Sequence, residues 1–529
     1  MTDEVRLSLQ YWQNEAEKLE HEKEKMEMRI SELEAKNYGL SQANQQLKDS
    51  ASKQLMALHR AFWLEKYEAH PSTIQLIDPI YEHLELDEEL SQLYMTPLVQ
   101  RLSRVRQLSF SYLDHPSAQH SRLAHSLGVC KNMELVINYV LRRNKLYTES
   151  KIEVLSKELS DVKMNGEKLE KIGKALALLH DVGHGPYGHA LDRYIGFRLG
   201  IDIKGVDKFY SVEYIKKYLA DIIDNTGLDS QQIIRILSSD KEKLTSFECF
   251  LGDLIDSPLD LDRLDYLVRD AYGTGLQLGF INSKLIIDYM IPYKDKRGNI
   301  NLVFKKPAID FLEYLLYARS IMYARCYEQD IKAAAEGMLI LAVKEFLPEK
   351  VEERDVNDLM LLDDETLLNH LVFSQNNSAN IAKLLKLGRV YDKVYEVHKK
   401  RSPTLQRYIE YEARKSLPTA QFIIPFEIWT RQIADGAKIK YEDEKWKILV
   451  VPPSPNVYKE VEADINILDE VADGFDLKLA SEMSLTLEDV QRLVQESRHL
   501  VRVFVHPDFD QRTQAAIADS ARALFEPPQ

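Results

Sequence analysis

The chain has 529 residues, 45% of them hydrophobic, with 84 acidic against 69 basic side chains and a formal net charge of −15. That length and apolar content suffice for two or three folded units with cores of their own. The acidic balance argues against strong duplex DNA binding, which needs a concentrated basic face, but it allows a local basic pocket around an anion. Three cysteines, Cys130, Cys249 and Cys326, show neither metal-ligand spacing nor a paired framework. That fits a reducing compartment and predicts a cytoplasmic location. The N-terminus lacks a charged start followed by an apolar core, and no apolar run reaches the length of a membrane span, so no membrane association is expected.

In chain order, residues 1–60 are rich in Glu, Lys, Gln and Leu and contain no proline. Leu19, Met26, Leu33, Leu40 and Leu47 recur every seventh residue, and Ala16, Lys23, Ile30, Asn37 and Asn44 stand three before each. Apolar d positions with a largely polar a row predict a self-associating coiled coil. A single long surface helix packed on the protein is the alternative. From Thr73 the chain leads into a domain expected over 73–345. Asp78-Pro79 marks a turn, with two helical stretches expected after it. Residues 121–144 read as helix, 150–170 as an inserted helix and loop, and 171–345 mainly as helices. The segment 290–304, MIPYKDKRGNINLVF, predicts a hairpin. A helical extension is expected over 346–440. The β-branched runs WKILVVPP and HLVRVFVHP then predict a small α+β unit over 441–529, with LTLEDVQRLVQE as an amphipathic stretch between them. The fold class is therefore mainly α.

Four residues in three separated motifs are candidate metal ligands. His125 lies in RLAHSLGV, the pair His180 and Asp181 in ALLHDVGHGPYGH, and Asp262 in LDLDRLDYLVRD. A mixed nitrogen and oxygen set suits Mn, Fe or Mg, and Zn or Ni also fit. An adjacent His-Asp pair supplies two ligands only at a helix end, and Gly183 and Gly185 predict that the helix stops there. Asp260 and Asp265 compete with Asp262 for the ligand role, and Asp260 suits a helix cap. His184 and His189 follow in the glycine-rich turn, where imidazole titrates in the range useful for proton transfer. Asp192, three residues after His189, is placed to orient it.

The three motifs, in this order and with these neighbours, resemble the HD-domain metal-dependent phosphohydrolases. The closest resemblance is to the branch of the SAM- and HD-domain dNTP triphosphohydrolases and bacterial dGTPases. It runs from about Ile77 to about Tyr327. It implies an HD-domain helical catalytic core with His125, His180, Asp181 and Asp262 as metal ligands, and His189 backed by Asp192 as acid/base, with His184 beside it. It implies phosphate contacts from Arg122, Arg263 and Arg319, with arginine at 263 where the best-known animal relative has lysine. Gln107 and Leu108 match a pair that reads the 3′-hydroxyl and crowds the 2′ position. Tyr266 and Asp270 match sugar contacts, and Tyr327 an aromatic at the sugar or base.

The implied activity is hydrolysis of a deoxynucleoside triphosphate to deoxynucleoside and triphosphate. The alternatives are another HD phosphohydrolase or phosphodiesterase acting on nucleotides or nucleic-acid ends, and a non-catalytic nucleotide-sensing scaffold. The implied partners are a nucleotide substrate and further copies of the chain, associating through coiled coil and HD domain. Two departures stand out. A third active-site histidine is usual downstream, but here Asp207 stands near that place and no histidine occurs between His189 and His370. The segment equivalent to an activating guanine-nucleotide pocket keeps Gln100, but Met95 and Ser103 replace its acidic and arginine partners. GTP activation of that kind is expected to be absent, and a different nucleotide effector is left open.

Overall fold

The computed structural model describes residues 54–65, 72–201, 205–238, 244–278, 282–347, 353–374, 376–414, 423–453, 465–484, 486–487 and 500–526, with single positions and short runs between 18 and 39. Helices dominate. Those that build or flank the site are α1 (Arg122–Arg143), α2 (Gly166–Leu179), α3 (Asp192–Leu199), α4 (Val206–Tyr214), α5 (Leu261–Thr274), α6 (Ile309–Met322), α7 (Asp330–Phe346) and α8 (Asp364–Val372). Local chemistry sets their ends. Ser121 caps α1 by accepting from the Ala124 N–H, and Asn144 closes it in the left-handed region. Asn165 caps α2, and Asp260 caps α5, which ends at Gly275 with φ +73°. The cap reading of Asp260 is thus borne out.

The first departure from sequence expectation is at 74–86. The Asp78-Pro79 turn is present, but strands β1 (Ile74–Asp78) and β2 (Glu82–Leu86) flank it before any helix begins. One oxygen of Asp78 accepts from the Ile80 and Tyr81 N–H groups, an Asx turn. Its other oxygen accepts from Arg269 on α5, which anchors the hairpin to the helical core.

The expected hairpin at 290–304 forms from β5 (Met290–Lys294) and β6 (Ile300–Lys305), but it is not isolated. It is the centre of a six-stranded sheet. β3 (Lys145–Tyr147) and β4 (Ile152–Val154) join one side, so the inserted stretch at 150–170 begins as a strand before its helix at Leu155–Asp161. β9 (Asn466–Val471) and β10 (Gly474–Leu479) join the other.

The segment 346–440 is not helical throughout. β7 (Asp392–His398) pairs antiparallel with β11 (Leu500–Val505), which also pairs with β8 (Ile448–Val451). Helices α9 (Pro403–Arg414), α10 (Ile423–Gly436) and α11 (Gln511–Phe525) accompany this sheet. Val397, Trp429, Val503 and Phe525 belong to its apolar core, which is distinct from the large helical one. The C-terminal α+β layer therefore draws on residues from about 392 onward, while β9 and β10 leave it for the other sheet. Pairing partners, not chain position, decide membership of a sheet.

At the N-terminus, Met26, Ile30 and Leu33 are helical and exposed. Leu19, Leu40 and Leu47 lie outside the described residues, as does most of LTLEDVQRLVQE. Among the described residues no helix is long and apolar enough to cross a membrane.

Candidate functional site: a metal centre at the floor of a cavity

Three helices bring the candidate ligands together. His125 sits in the first turns of α1, His180 and Asp181 just past the end of α2, and Asp262 in the first turn of α5. Ligand atoms of His125, His180 and Asp181 lie within 4.8 Å of one another. Nε2 of His125 is 2.8 Å from Asp262 Oδ1, and Nε2 of His180 is 3.9 Å from the same oxygen. Gly128, one turn beyond His125, lets α1 and α5 approach this closely. A side-chain carbon there would collide with Asp265.

The two imidazoles are turned so that their Nε2 atoms converge. Nδ1 of His125 is hydrogen-bonded to Asp265 Oδ2 at 2.8 Å, and Nδ1 of His180 to the Ala177 carbonyl at 2.7 Å. With those acceptors the Nδ1 atoms carry the protons, which leaves the Nε2 lone pairs free. Both Nε2 atoms are buried without a hydrogen-bond partner, the close carboxylates being out of line for one. Buried polar atoms are rarely left so. Two orphaned nitrogens facing two carboxylates fit a divalent cation.

Behind His125 stands a buried relay. Asp265 also accepts two hydrogen bonds from Arg269, whose Nη1 reaches Asp78. Burial raises the Asp265 pKa, but Arg269 and His125 outweigh it and hold the carboxyl below its usual range. Burial opposes charge on His125 too, yet Asp262 and Asp265 raise its pKa to about 10. The carboxylates that favour a proton there also favour a metal ion.

Above this floor opens a cavity of about 650 Å³. One family model, the HD associated region, matches residues 293–519. The chain is 25% identical over 346 residues to a deoxynucleoside triphosphate triphosphohydrolase SAMHD1 homolog of Dictyostelium discoideum, covering 63% of this chain and 62% of that one. It is 29% identical over 299 residues to an uncharacterised protein of Methanocaldococcus jannaschii, covering 56% and 55%. The crystal structure of a phosphohydrolase from Bacteroides thetaiotaomicron superposes with a TM-score of 0.59 at 21% identity, over 82% of this chain and 99% of that one. The chain spans between about half and two thirds of the length of the curated relatives it matches first.

These similarities are to HD-domain proteins, and among the curated relatives to deoxynucleoside triphosphate triphosphohydrolases.

The HD turn carries two further histidines, whose rings meet edge to face at 4.6 Å but differ in burial. His184 is buried, with Nε2 3.2 Å from Asp181 Oδ1 and 3.7 Å from Asp207 Oδ2. Burial, with Arg122 nearby, pushes its pKa down to about 4. It is neutral at pH 7 and suited to accept or donate a hydrogen bond, not to deliver a proton repeatedly. His189 has a side chain 65% exposed, with Nδ1 2.7 Å from Asp192 Oδ2. The protein packed around one side of the ring disfavours its charge, but Asp192 outweighs that and raises its pKa. Both line the cavity, with Asp192 and Asp207.

The other expected contacts line the same cavity. Arg122 donates to Asp181 Oδ2 at 2.7 Å, so it holds a candidate ligand as well as facing the cavity. Gly188, at φ +56°, leaves room for its guanidinium. Arg263 is turned back onto Asp260 and the Ser257 carbonyl. Arg319 donates to the Tyr323 hydroxyl at 3.3 Å. Gln107, Leu108, Tyr266 and Tyr327 also line the cavity. Asp270 lines it too, but both its oxygens are engaged, one with His120 at 2.8 Å and one with the Tyr327 hydroxyl at 2.6 Å. A π-helical turn, Tyr323–Tyr327, extends α6 and sets Tyr327 toward that carboxylate.

Sequence reasoning missed four residues at the site. Asp265 was weighed only as a rival ligand, although its place one turn after Asp262 marks the same helix face. Ser211 donates to the His180 carbonyl and accepts from the Gly183 N–H, which ties the HD turn to α4. Lys332 and Glu336 of α7 line the outer cavity. Neither of these last two carries a motif that would single it out.

Proposed function

We propose that the protein is a metal-dependent deoxynucleoside triphosphate triphosphohydrolase, releasing a deoxynucleoside and inorganic triphosphate. The observation that carries the hydrolase reading is the pair of orphaned Nε2 atoms facing Asp181 and Asp262 at the floor of a cavity that His189 also lines. His125, His180, Asp181 and Asp262 would hold one divalent ion. When bound, such an ion supplies Lewis acidity toward a phosphoryl oxygen and makes water more acidic.

The chain's own groups supply the rest. Arg122, Arg263 and Arg319 all line the cavity, and their forked guanidinium groups suit a chain of phosphates that would draw Arg122 and Arg263 from Asp181 and Asp260. Water attacks the α-phosphorus, the bond from that phosphorus to the 5′ oxygen breaks, and His189 gives the departing oxygen its proton. Asp192 holds that imidazole charged and oriented. Leu108 and Gln107 support a deoxyribose, since a leucine side chain crowds a 2′-hydroxyl. The N-terminal heptads support self-association through residues 1–60, with further association through the HD domains.

Incubation of the protein with each dNTP and NTP, with Mn²⁺ or Mg²⁺, and identification of products by mass tests this directly. Triphosphate and deoxynucleoside are the expected products. Turnover of a cyclic nucleotide, a monophosphate or nucleic-acid ends would move the protein to another HD phosphohydrolase class. Binding of nucleotide without turnover of any substrate would make it a sensing scaffold.

A further inference from the structure

We propose that Arg101 is a positioning residue for the HD centre, acting through the main chain of the turn that carries it. Arg101 is among the largest fully buried side chains. All four of its hydrogen-bond acceptors are backbone carbonyls. Nη2 donates to Val182 O at 3.0 Å and His184 O at 2.6 Å, and Nη1 to Met360 O at 3.2 Å and Leu362 O at 3.1 Å. The fork thus ties the HD turn to the segment leading into α8.

Asp364, at the start of α8, completes the clamp. One oxygen accepts from the Tyr187 N–H at 2.6 Å, and the other from the Arg106 N–H at 3.0 Å. Gly185 packs against Met360 with no room for a side chain. The turn is therefore held from behind at Val182, His184, Gly185 and Tyr187. Its front carries Asp181 and His184 and leads to His189.

A buried cation is costly, and its usual compensation is a carboxylate. Arg101 hydrogen-bonds only to carbonyl dipoles and leaves Nε without a partner. An apolar side chain would fill the same space without that cost. What the guanidinium adds is geometry: four N–H groups in one plane, fixing two separated stretches of backbone at once. Lysine, with three N–H groups on one atom, cannot match four acceptors arranged as a fork. Loss of the clamp frees the Val182 and His184 carbonyls to turn, and Asp181 then shifts against His125, which rides on a different helix.

This rests on the metal-centre reading, and the test separates the two. The full chain, Arg101→Gln and Arg101→Lys are compared for Mn²⁺ affinity by chelator competition, for melting temperature, and for kcat and KM on the best nucleotide substrate. Val503→Ala, in the separate C-terminal core, serves as a control for lowered stability. A wild-type chain that binds no Mn²⁺ sinks the metal centre itself. With a metal-binding wild type, both variants should bind Mn²⁺ about 10–100-fold more weakly, the range seen when groups supporting metal ligands are removed. Their kcat should fall while KM stays nearly constant, with lysine recovering part of the loss. Should Arg101→Gln fail to fold, Arg101→Lys carries the comparison. Mn²⁺ affinity and kcat no lower than in Val503→Ala would overturn the proposal.

Discussion

Two neighbouring parts of the candidate site are built on opposite principles. Among the candidate metal ligands His125 is completely buried, Asp181 and His180 have side chains 9% exposed, and each His is held at Nδ1 by a fixed acceptor. His189, whose ring meets that of His184 at 4.6 Å, is 65% exposed and held by a single carboxylate. On the proposed function, the contrast follows from what each part does. A metal site needs its donors preorganised in a low-dielectric setting, where their orientation costs nothing at the moment of binding. A proton donor must exchange with solvent in every cycle and keep a pKa near the working pH. The buried polar network stands behind the first part, through Asp265, Arg269 and Asp78. The His189 side chain is open to solvent.

That contrast can be broken in graded ways. The largest effect is expected from Asp262→Ala, which should empty the metal site and abolish turnover, as read by elemental analysis beside a product assay. A metal-loaded, active variant would remove Asp262 from the ligand set.

His189→Ala should leave the metal in place and lower kcat by about 10²–10⁴-fold, the usual worth of a general acid, with KM little changed. A raised KM with normal kcat would reassign His189 to phosphate binding. The pH profile sharpens this. Asp192 raises the His189 pKa, and a general acid works below its pKa, so activity should fall as pH rises through it. Asp192→Asn lowers that pKa and should move the alkaline limb of kcat to lower pH. A limb that stays where it was would sever the pair from catalysis.

Asp265→Asn touches no metal but weakens the acceptor that orients His125. Metal affinity should drop by about 10–100-fold, with kcat per bound metal largely kept. If titration with Mn²⁺ gives the wild-type affinity, the relay is structural only.

Leu108→Ala should narrow the preference for dGTP over GTP by roughly tenfold, the lower end of the discrimination that one methylene gives in an apolar pocket. An unchanged ratio in parallel kinetics would take Leu108 out of the sugar pocket. Smallest at the site itself is the effect of deleting residues 1–60. Light scattering with size exclusion should report a lower assembly state, while metal content stays at the wild-type level. An unchanged assembly would mean that the heptads pack on the chain's own domain.

Much of the centre was legible in the sequence because its chemistry is local. A His-Asp pair followed by glycines declares a helix end with two donors. The i, i+3 spacing of His189 and Asp192 declares a contact within one turn. Asp260 before Leu261 declares a cap. The six-stranded mixed sheet was not legible, since β9 and β10 carry no mark of the strands they join. Nor did composition show that β7, inside a charged and largely helical stretch, pairs with β11 about a hundred residues later. Strand pairing is a choice among distant partners, and alternation along one strand cannot name the other.

The sequence by itself carried the resemblance to HD-domain proteins, the candidate ligands, the mainly helical core and the hairpin at 290–304. Each rests on residue types at short spacing, where backbone geometry leaves few outcomes. Only the tertiary structure decided that Asp265 orients His125, that His184 is buried and neutral while His189 meets solvent, and that Arg101 and Asp364 hold the HD turn from behind. Those facts depend on burial and on contacts between residues far apart in the chain. Burial sets the cost of charge, and distant contacts decide which buried group has a partner.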